Sequence, residues 1–328
     1  MTHRQAEAEA KTRALEARGW AELQMTANQG LYDVHHYDLD LTLDPVSQNL
    51  TGLVSVRAGV TGASLATLDL DLLAGMSVYS ATAGGSAAGF SRNGDVLTVT
   101  LDRTYTMGEM VEVTVSYGGN PAGSSFGWDT HDTEHMIWTK SEPYGARDWW
   151  PCKDVNSDKA DSVDVHVTVP DHLTAVSNGL LISNVDHGAT RTFHWRTRYP
   201  ICTYLVSLAI HPYTFFNDWY TPLGGGAPME VQHYVYPDNY DNVQAVYALT
   251  VPMLEVFAQS YGEYPFVLEK YGHADFVWGG GMEHQTISSI GFWSEDLIAH
   301  EVAHQWWGDM ITCDDFAHIW LNEGLSLI

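Results

Sequence analysis

The sequence predicts a multidomain α+β protein, an N-terminal antiparallel β domain followed by a smaller unit in which strands and helices alternate. Three observations carry this. Apolar residues recur with period two from Leu31 to about residue 217, the spacing turns helical after Asn242, and a capped segment near the C-terminus places histidines four residues apart. The 328 residues are 45% hydrophobic and 17% charged, enough apolar material for a large core and too much for a disordered polymer.

Residues 1–24 are rich in Ala and Glu, with Leu15 and Leu23 eight apart, and predict a short amphipathic helix within an N-terminal extension over residues 1–30. The β domain is expected over residues 31–217. Tyr37, Leu39, Leu41 and Leu43 alternate with polar partners, which lines one face of a pleated strand. The same alternation recurs at Val54 to Val60, Leu68 to Leu72, Leu97 to Leu101, Val111 to Tyr117 and Val163 to Val169, with Gly, Asn, Asp and Pro between the runs. Residues 218–328 form the second unit. It opens with a Gly-rich turn at Gly224 to Gly226 and a strand from Met229 to Tyr236. One helix is expected from Asn242 to Tyr261, with Val246, Leu249, Met253 and Phe257 on its apolar stripe.

Lys and Arg total 15 against 41 Asp and Glu, a formal charge of -26, and a field of that sign repels nucleic acid. No window reaches the roughly 18 consecutive apolar residues of a membrane helix, so no integral membrane segment is expected. Cys152, Cys202 and Cys313 are too few and too scattered for a disulfide framework or a thiolate zinc site.

The chemistry is concentrated in SEDLIAHEVAHQWWGD, Ser294 to Asp309. Ser294 can cap a helix whose first turn carries Glu295 and Asp296 at the positive dipole end, and Gly308 can close it. His300 and His304 fall on one face, able to converge on one ion, while Ile298, Val302 and Trp306 form a separate stripe for the core. Glu301, beside the first histidine, can reach a water on the metal without ligating it. A second short helix from Phe316 toward Glu323 would bring Glu323 as the third ligand and leave a fourth position open, as catalysis requires. Trp306, Trp307 and Trp320 are expected in the core, Asn322 as a candidate partner orienting the ligands, Asp309 either as such a partner or as a turn cap, and Cys152 as structural.

These motifs resemble the M1 family of zinc aminopeptidases, a gluzincin group. The resemblance rests on GGGMEH (Gly279 to His284), HEVAHQWWGD (His300 to Asp309), WLNEG (Trp320 to Gly324) and TKSEPYGARDWWPCKDVNSDKA (Thr139 to Ala160), in the family's order and across most of the chain. It implies a β saddle followed by a thermolysin-like catalytic domain, with one Zn²⁺ on His300, His304 and Glu323 and Glu301 as general base. It also implies that Glu283 and Glu142 bind the free α-amino group of a peptide substrate. Gly280 and Gly281, with no side chain to hold an extended substrate away, can lie against it as an added strand.

Three departures bear on the comparison. His284 replaces the family's usual Asn, and Lys140 stands where many members have Gln, which implies a different first side-chain pocket. The family's oxyanion-stabilising tyrosine falls beyond Ile328, which implies a C-terminally truncated chain with an incomplete catalytic domain, its activity alone left open between slow hydrolysis and none. The reading is therefore a zinc-dependent aminopeptidase. Its alternatives are a catalytically silent scaffold of the same fold and an epoxide-opening relative. The Gly, Thr, Ser and Asp-rich β domain favours a periplasmic or secreted protein over a cytoplasmic one, although the N-terminus has no apolar signal core.

Overall fold

A computed structural model describes residues 25–121 and 123–326. The helix expected within residues 1–24 lies outside the described residues. The alternating runs form an eight-stranded sheet in the order Leu180–Asp186, Thr190–Thr197, Ser162–Pro170, Tyr32–Asp44, Asn49–Val60, Met110–Gly119, Ser77–Ala83, Ser86–Ala88. Its pairings are antiparallel except one: Tyr32–Asp44 runs parallel to Ser162–Pro170, with Leu39 beside Val165. Local alternation fixes which face of a strand is buried, but it carries no information on the direction of a distant partner.

A three-stranded sheet (Ser64–Asp71, Val96–Thr106, Phe90–Asn93) packs its Leu68, Leu70, Leu97 and Val99 into the same core as Leu39, Leu41, Val54 and Val56. A four-stranded sheet of Thr174–Val176, Ala209–His211, Glu134–Thr139 and Phe126–His131 leads the chain toward Glu142. Further along that segment, Arg147 lies 3.3 Å from Asp71 and 3.0 Å from Asp154, all three buried, while the Thr203 hydroxyl donates to Asp154. The Pro-Cys-Lys-Asp segment is thus an ionic knot in the floor of the β unit. Cys152 sits inside that floor, its thiol pushed well above the usual range by burial.

The second unit is built on a five-stranded sheet ordered Thr214–Tyr220, Met229–Val235, Lys270–Asp275, Ser288–Ile290, Gly281–Met282. Thr214–Tyr220 straddles residue 217 and pairs along its length with Met229–Val235. The single helix expected over Asn242 to Tyr261 is two, α1 (Tyr240–Tyr247) and α2 (Thr250–Tyr261). Pro252 accounts for the break, because it has no N–H for the carbonyl of Ala248 four residues back and its ring crowds that carbonyl. The buried line is Val243, Tyr247, Leu254 and Ala258, so the expected stripe of Val246, Leu249, Met253 and Phe257 forms its half-buried flank.

Helix α3 (Glu295–His304) is capped as expected, the Ser294 hydroxyl accepting from the N–H of Leu297 at 3.2 Å. Its Ile298 and Val302, with Trp306 just beyond, enter the same core as Leu254 and Ala258. A 3-10 turn, Phe316–His318, is capped by Asp315 and leads into α4 (Trp320–Leu325). Trp320 is not in the core: it is 64% exposed, because α4 turns Asn322 inward instead. Asn322 is fully buried, accepting from the N–H of Cys313 at 3.1 Å and donating to the Tyr204 hydroxyl at 3.2 Å. No described helix is long and apolar enough to cross a membrane.

Candidate metal centre and amine site

The residues singled out in the sequence meet at the seam between the two units. On α3, His300 and His304 present their Nε2 atoms 3.0 Å apart. The Glu323 Oε2 from α4 lies 3.5 Å from the first and 3.8 Å from the second. Donors around a tetrahedral zinc lie roughly 3.3 Å from one another, so the three separations suit one such ion. The ring tautomers agree. His300 Nδ1 faces the carbonyl of Ser326 at 3.3 Å and His304 Nδ1 faces that of Trp307 at 3.0 Å. A carbonyl only accepts, so each Nδ1 carries the proton and the two Nε2 lone pairs point at each other. Two acceptors at that distance repel unless a cation lies between them, and the donor set of two imidazoles and a carboxylate fits Zn²⁺.

A second His-Asp group, Asp164 with His166 and His194 on the eight-stranded sheet, lacks this geometry. Its rings stack within 19° of parallel, so their in-plane lone pairs do not converge, and Arg196 already holds Asp164 at 2.6 Å.

Glu301 is fully buried on the same helix. Its carboxylate lies against the backbone of Gly281, where a Cβ would come within 2.1 Å of Oε1. Glycine at 281 is therefore what admits the acid. Gly280 is needed for a different reason, a φ of +131°. Gly281 and Met282 form the edge strand of the five-stranded sheet, bonded on one side to Ser289 and Ile290.

Glu283 follows this strand and is fully buried. Glu142 arrives from the β unit, where the N–H of Lys140 bonds to the Ser125 carbonyl and Trp149 Nε1 donates to the Ser141 hydroxyl at 3.0 Å. Carboxylate oxygens of Glu142, Glu283 and Glu323 all lie within 4.8 Å of one another, so Glu323 belongs to both the histidine group and an acidic group beside it. The Lys140 ammonium sits 2.8 Å from the centre of the Trp278 ring. His284 is buried with Nδ1 3.0 Å from the Ser289 hydroxyl, joining its loop to the neighbouring strand. Asp309 is buried at the turn after α3, its N–H bonded to the His304 carbonyl.

Sequence reasoning missed Gln305, Thr286, Lys270 and Asn178. Gln305, directly after His304, accepts from the N–H of Thr286 at 2.9 Å, and its Nε2 lies 3.5 Å from the Glu283 carbonyl. Asn178 donates to the Gln285 carbonyl at 2.6 Å. Lys270 is fully buried against the carbonyls of Ser177 and Thr286, and that burial lowers it to about 7 against the opposing pull of Glu269 and Glu230. Nothing in the sequence marked Thr286.

A β unit of this layout joined to a His-Glu-x-x-His helix and a following Glu helix defines a two-part zinc-peptidase architecture. The Peptidase M1 N-terminal domain matches residues 34–205 and the Peptidase family M1 domain residues 248–328, and the chain belongs to the M1 peptidase family. Among solved structures, the M1 zinc metallopeptidase from Deinococcus radiodurans superposes with a TM-score of 0.80 at 29% identity, covering 90% of this chain and 68% of that one. A two-domain M1 zinc metallopeptidase variant bound to L-tryptophan gives the same TM-score at 28% identity, over 90% of this chain and 69% of that one. Leucine aminopeptidase 2 of Aspergillus oryzae is 26% identical over 247 residues, 70% of this chain and 38% of the relative. Human glutamyl aminopeptidase is 27% identical over 240 residues, 65% of this chain and 24% of the relative. The chain thus spans well under half the length of these two curated relatives.

Proposed function

We propose that this chain carries the zinc-binding and amine-binding parts of an aminopeptidase that hydrolyses the first peptide bond of substrates with a free amino terminus. The observation that carries the reading is the meeting of Glu142 and Glu283 with Glu323 beside the two histidines. One acidic group on one side of a ligand set is what an exopeptidase requires. Carboxylates can hold an ammonium by charge-assisted hydrogen bonds, and holding it there fixes which carbonyl reaches the metal.

Zn²⁺ on His300, His304 and Glu323 would supply Lewis-acid polarisation of that carbonyl and acidify water at its open position. Glu301, buried against Gly281, takes the proton of the attacking water and returns one to the leaving amine. Gly281–Met282 is the edge strand of the five-stranded sheet, and an extended peptide lies along it as a further strand. Glu283 and Glu142 exclude peptides whose amino terminus is blocked, because an amide has no charge to offset the desolvation of two carboxylates.

The test uses the zinc-loaded protein. Glu301→Gln is expected to retain stoichiometric zinc and to lose at least about a hundredfold in turnover of an aminoacyl anilide, within the range of lost general-base catalysis. An N-acetylated peptide should not be cleaved. Unchanged turnover in Glu301→Gln, or cleavage of the acetylated peptide at the rate of the free one, removes the proposal. The absence of stoichiometric zinc would favour a silent scaffold instead.

A further inference from the structure

The loop that carries Glu283 turns on one residue in a conformation its side chain disfavours. Thr286 has a φ of +68°, in the left-handed region that β-branched residues rarely enter. Such strain persists only where the surroundings over-determine it. Here each polar group of Thr286 is engaged. Its N–H donates to Gln305 Oε1 at 2.9 Å, its hydroxyl accepts from the N–H of Gly179 at 2.8 Å, and Lys270 Nζ lies 3.3 Å from both its carbonyl and its hydroxyl.

The partners come from three separate parts of the molecule. Gln305 follows the ligand His304, Lys270 opens a central strand of the second unit, and Gly179 belongs to the β unit. Thr286, Lys270 and Gln305 are all fully buried, so no water competes for these bonds. Gln305 also reaches back toward the Glu283 carbonyl. One amide side chain therefore spans from the metal helix to the backbone of the proposed amine anchor, and Thr286 holds that amide in place.

We propose that Thr286, clamped by Gln305, Lys270 and Gly179, is a positioning residue that fixes the Glu283 carboxylate relative to the His300 and His304 pair and so sets the affinity for a free amino terminus. This rests on the reading of Glu283 as an amine anchor. A knot serving stability alone would lower the melting point of a variant without separating amine-bearing from amine-blocked ligands.

Thr286→Val keeps the shape and removes the hydroxyl, whereas Thr286→Ser keeps the hydroxyl. Each would be compared with the parent as the full 328-residue chain loaded with zinc. Dissociation constants for L-tryptophan and N-acetyl-L-tryptophan come from calorimetry, zinc content from metal analysis, and loop rigidity from amide hydrogen exchange over residues 281–290. For the valine variant, L-tryptophan is expected to bind about tenfold more weakly. Its N-acetyl-L-tryptophan affinity and zinc content should equal the parent's, with faster exchange across the loop. The serine variant should stay within about twofold of the parent.

Unchanged L-tryptophan affinity in the valine variant, or an equal loss for both ligands, overturns the proposal. Lys270→Met removes the clamp from its other side and gives the same comparison if the valine variant does not fold. A parent that binds both ligands equally well shows instead that Glu283 is no amine anchor, and this proposal falls with that reading. A parent that discriminates alongside variants that do so equally well defeats only the role of Thr286.

Discussion

At the scale of single residues, the site depends on positions where one added atom or one lost charge has a disproportionate cost. Gly281→Ala is the sharpest case. The new methyl would stand 2.1 Å from Glu301 Oε1 in a fully buried setting, so the carboxylate must move. Displacement of a catalytic group by about 1 Å costs on the order of a hundredfold in rate. The expected variant keeps its zinc and its fold and loses turnover by about that factor; kinetics together with metal analysis check it, and parent-like turnover would show that Glu301 has room to spare. Arg147→Ala is the complementary case. It leaves Asp71 and Asp154 facing each other without the cation both contact at 3.3 and 3.0 Å. Removing one partner from a buried ionic group costs about 3–5 kcal/mol. Chemical denaturation should record a loss of that size, with the proposed amine site disturbed indirectly because the same segment carries Glu142.

At the scale of elements, α3 was the most legible part of the chain and the strand pairings the least. Every determinant of α3 is local: Ser294 as cap, acids in the first turn, the paired histidines on one face and Ile298 and Val302 on another. Ser294→Ala should therefore cost about 1 kcal/mol, the usual worth of a side-chain cap, read as a lower denaturation midpoint with zinc still bound. Pro252 was equally local, but the periodicity of its flanks concealed the break it makes between α1 and α2. The parallel pairing of Tyr32–Asp44 with Ser162–Pro170 was illegible because a strand's pattern does not encode a partner more than a hundred residues away. The same reasoning separates the site residues. The candidates written into short motifs, His300, His304, Glu301, Glu283 and Glu323, can be singled out from the sequence. Thr286 and Lys270 acquire meaning only from bonds made across the seam. Trp320 misled for a related reason, since its six-residue helix has room for one buried face and Asn322 takes it.

At the scale of the whole molecule, the second unit buries bases that must stay neutral, and this ties stability to pH. His233 and His273 lie in the core with their Nδ1 atoms 3.1 Å apart, and burial holds both below the usual 6.5. As pH falls below 6.5 the unfolded chain takes up protons that the folded one refuses, so stability is lost. Asp275, raised to about 6 by burial, acts in the opposite sense and gains a proton on the folded side as pH drops below that value. Lys270 governs the alkaline side. Its folded value is about 7 against an ordinary 10.5, so between those limits the unfolded state binds the extra proton and folding becomes more favourable as pH rises.

The net charge of -26 adds self-repulsion that also grows with pH and would blur this trend in the parent alone. That background is nearly common to the parent and Lys270→Met, so the difference between them isolates the buried amine. Each pH unit across the window corresponds to about 1.4 kcal/mol. Denaturant unfolding of both proteins should accordingly find the parent gaining roughly 2–3 kcal/mol on the methionine variant between about pH 7 and 9. A difference that stays flat across that range would mean Lys270 keeps its proton in the folded chain. The bonds it makes to Ser177 and Thr286 would then hold a permanent charge at the seam.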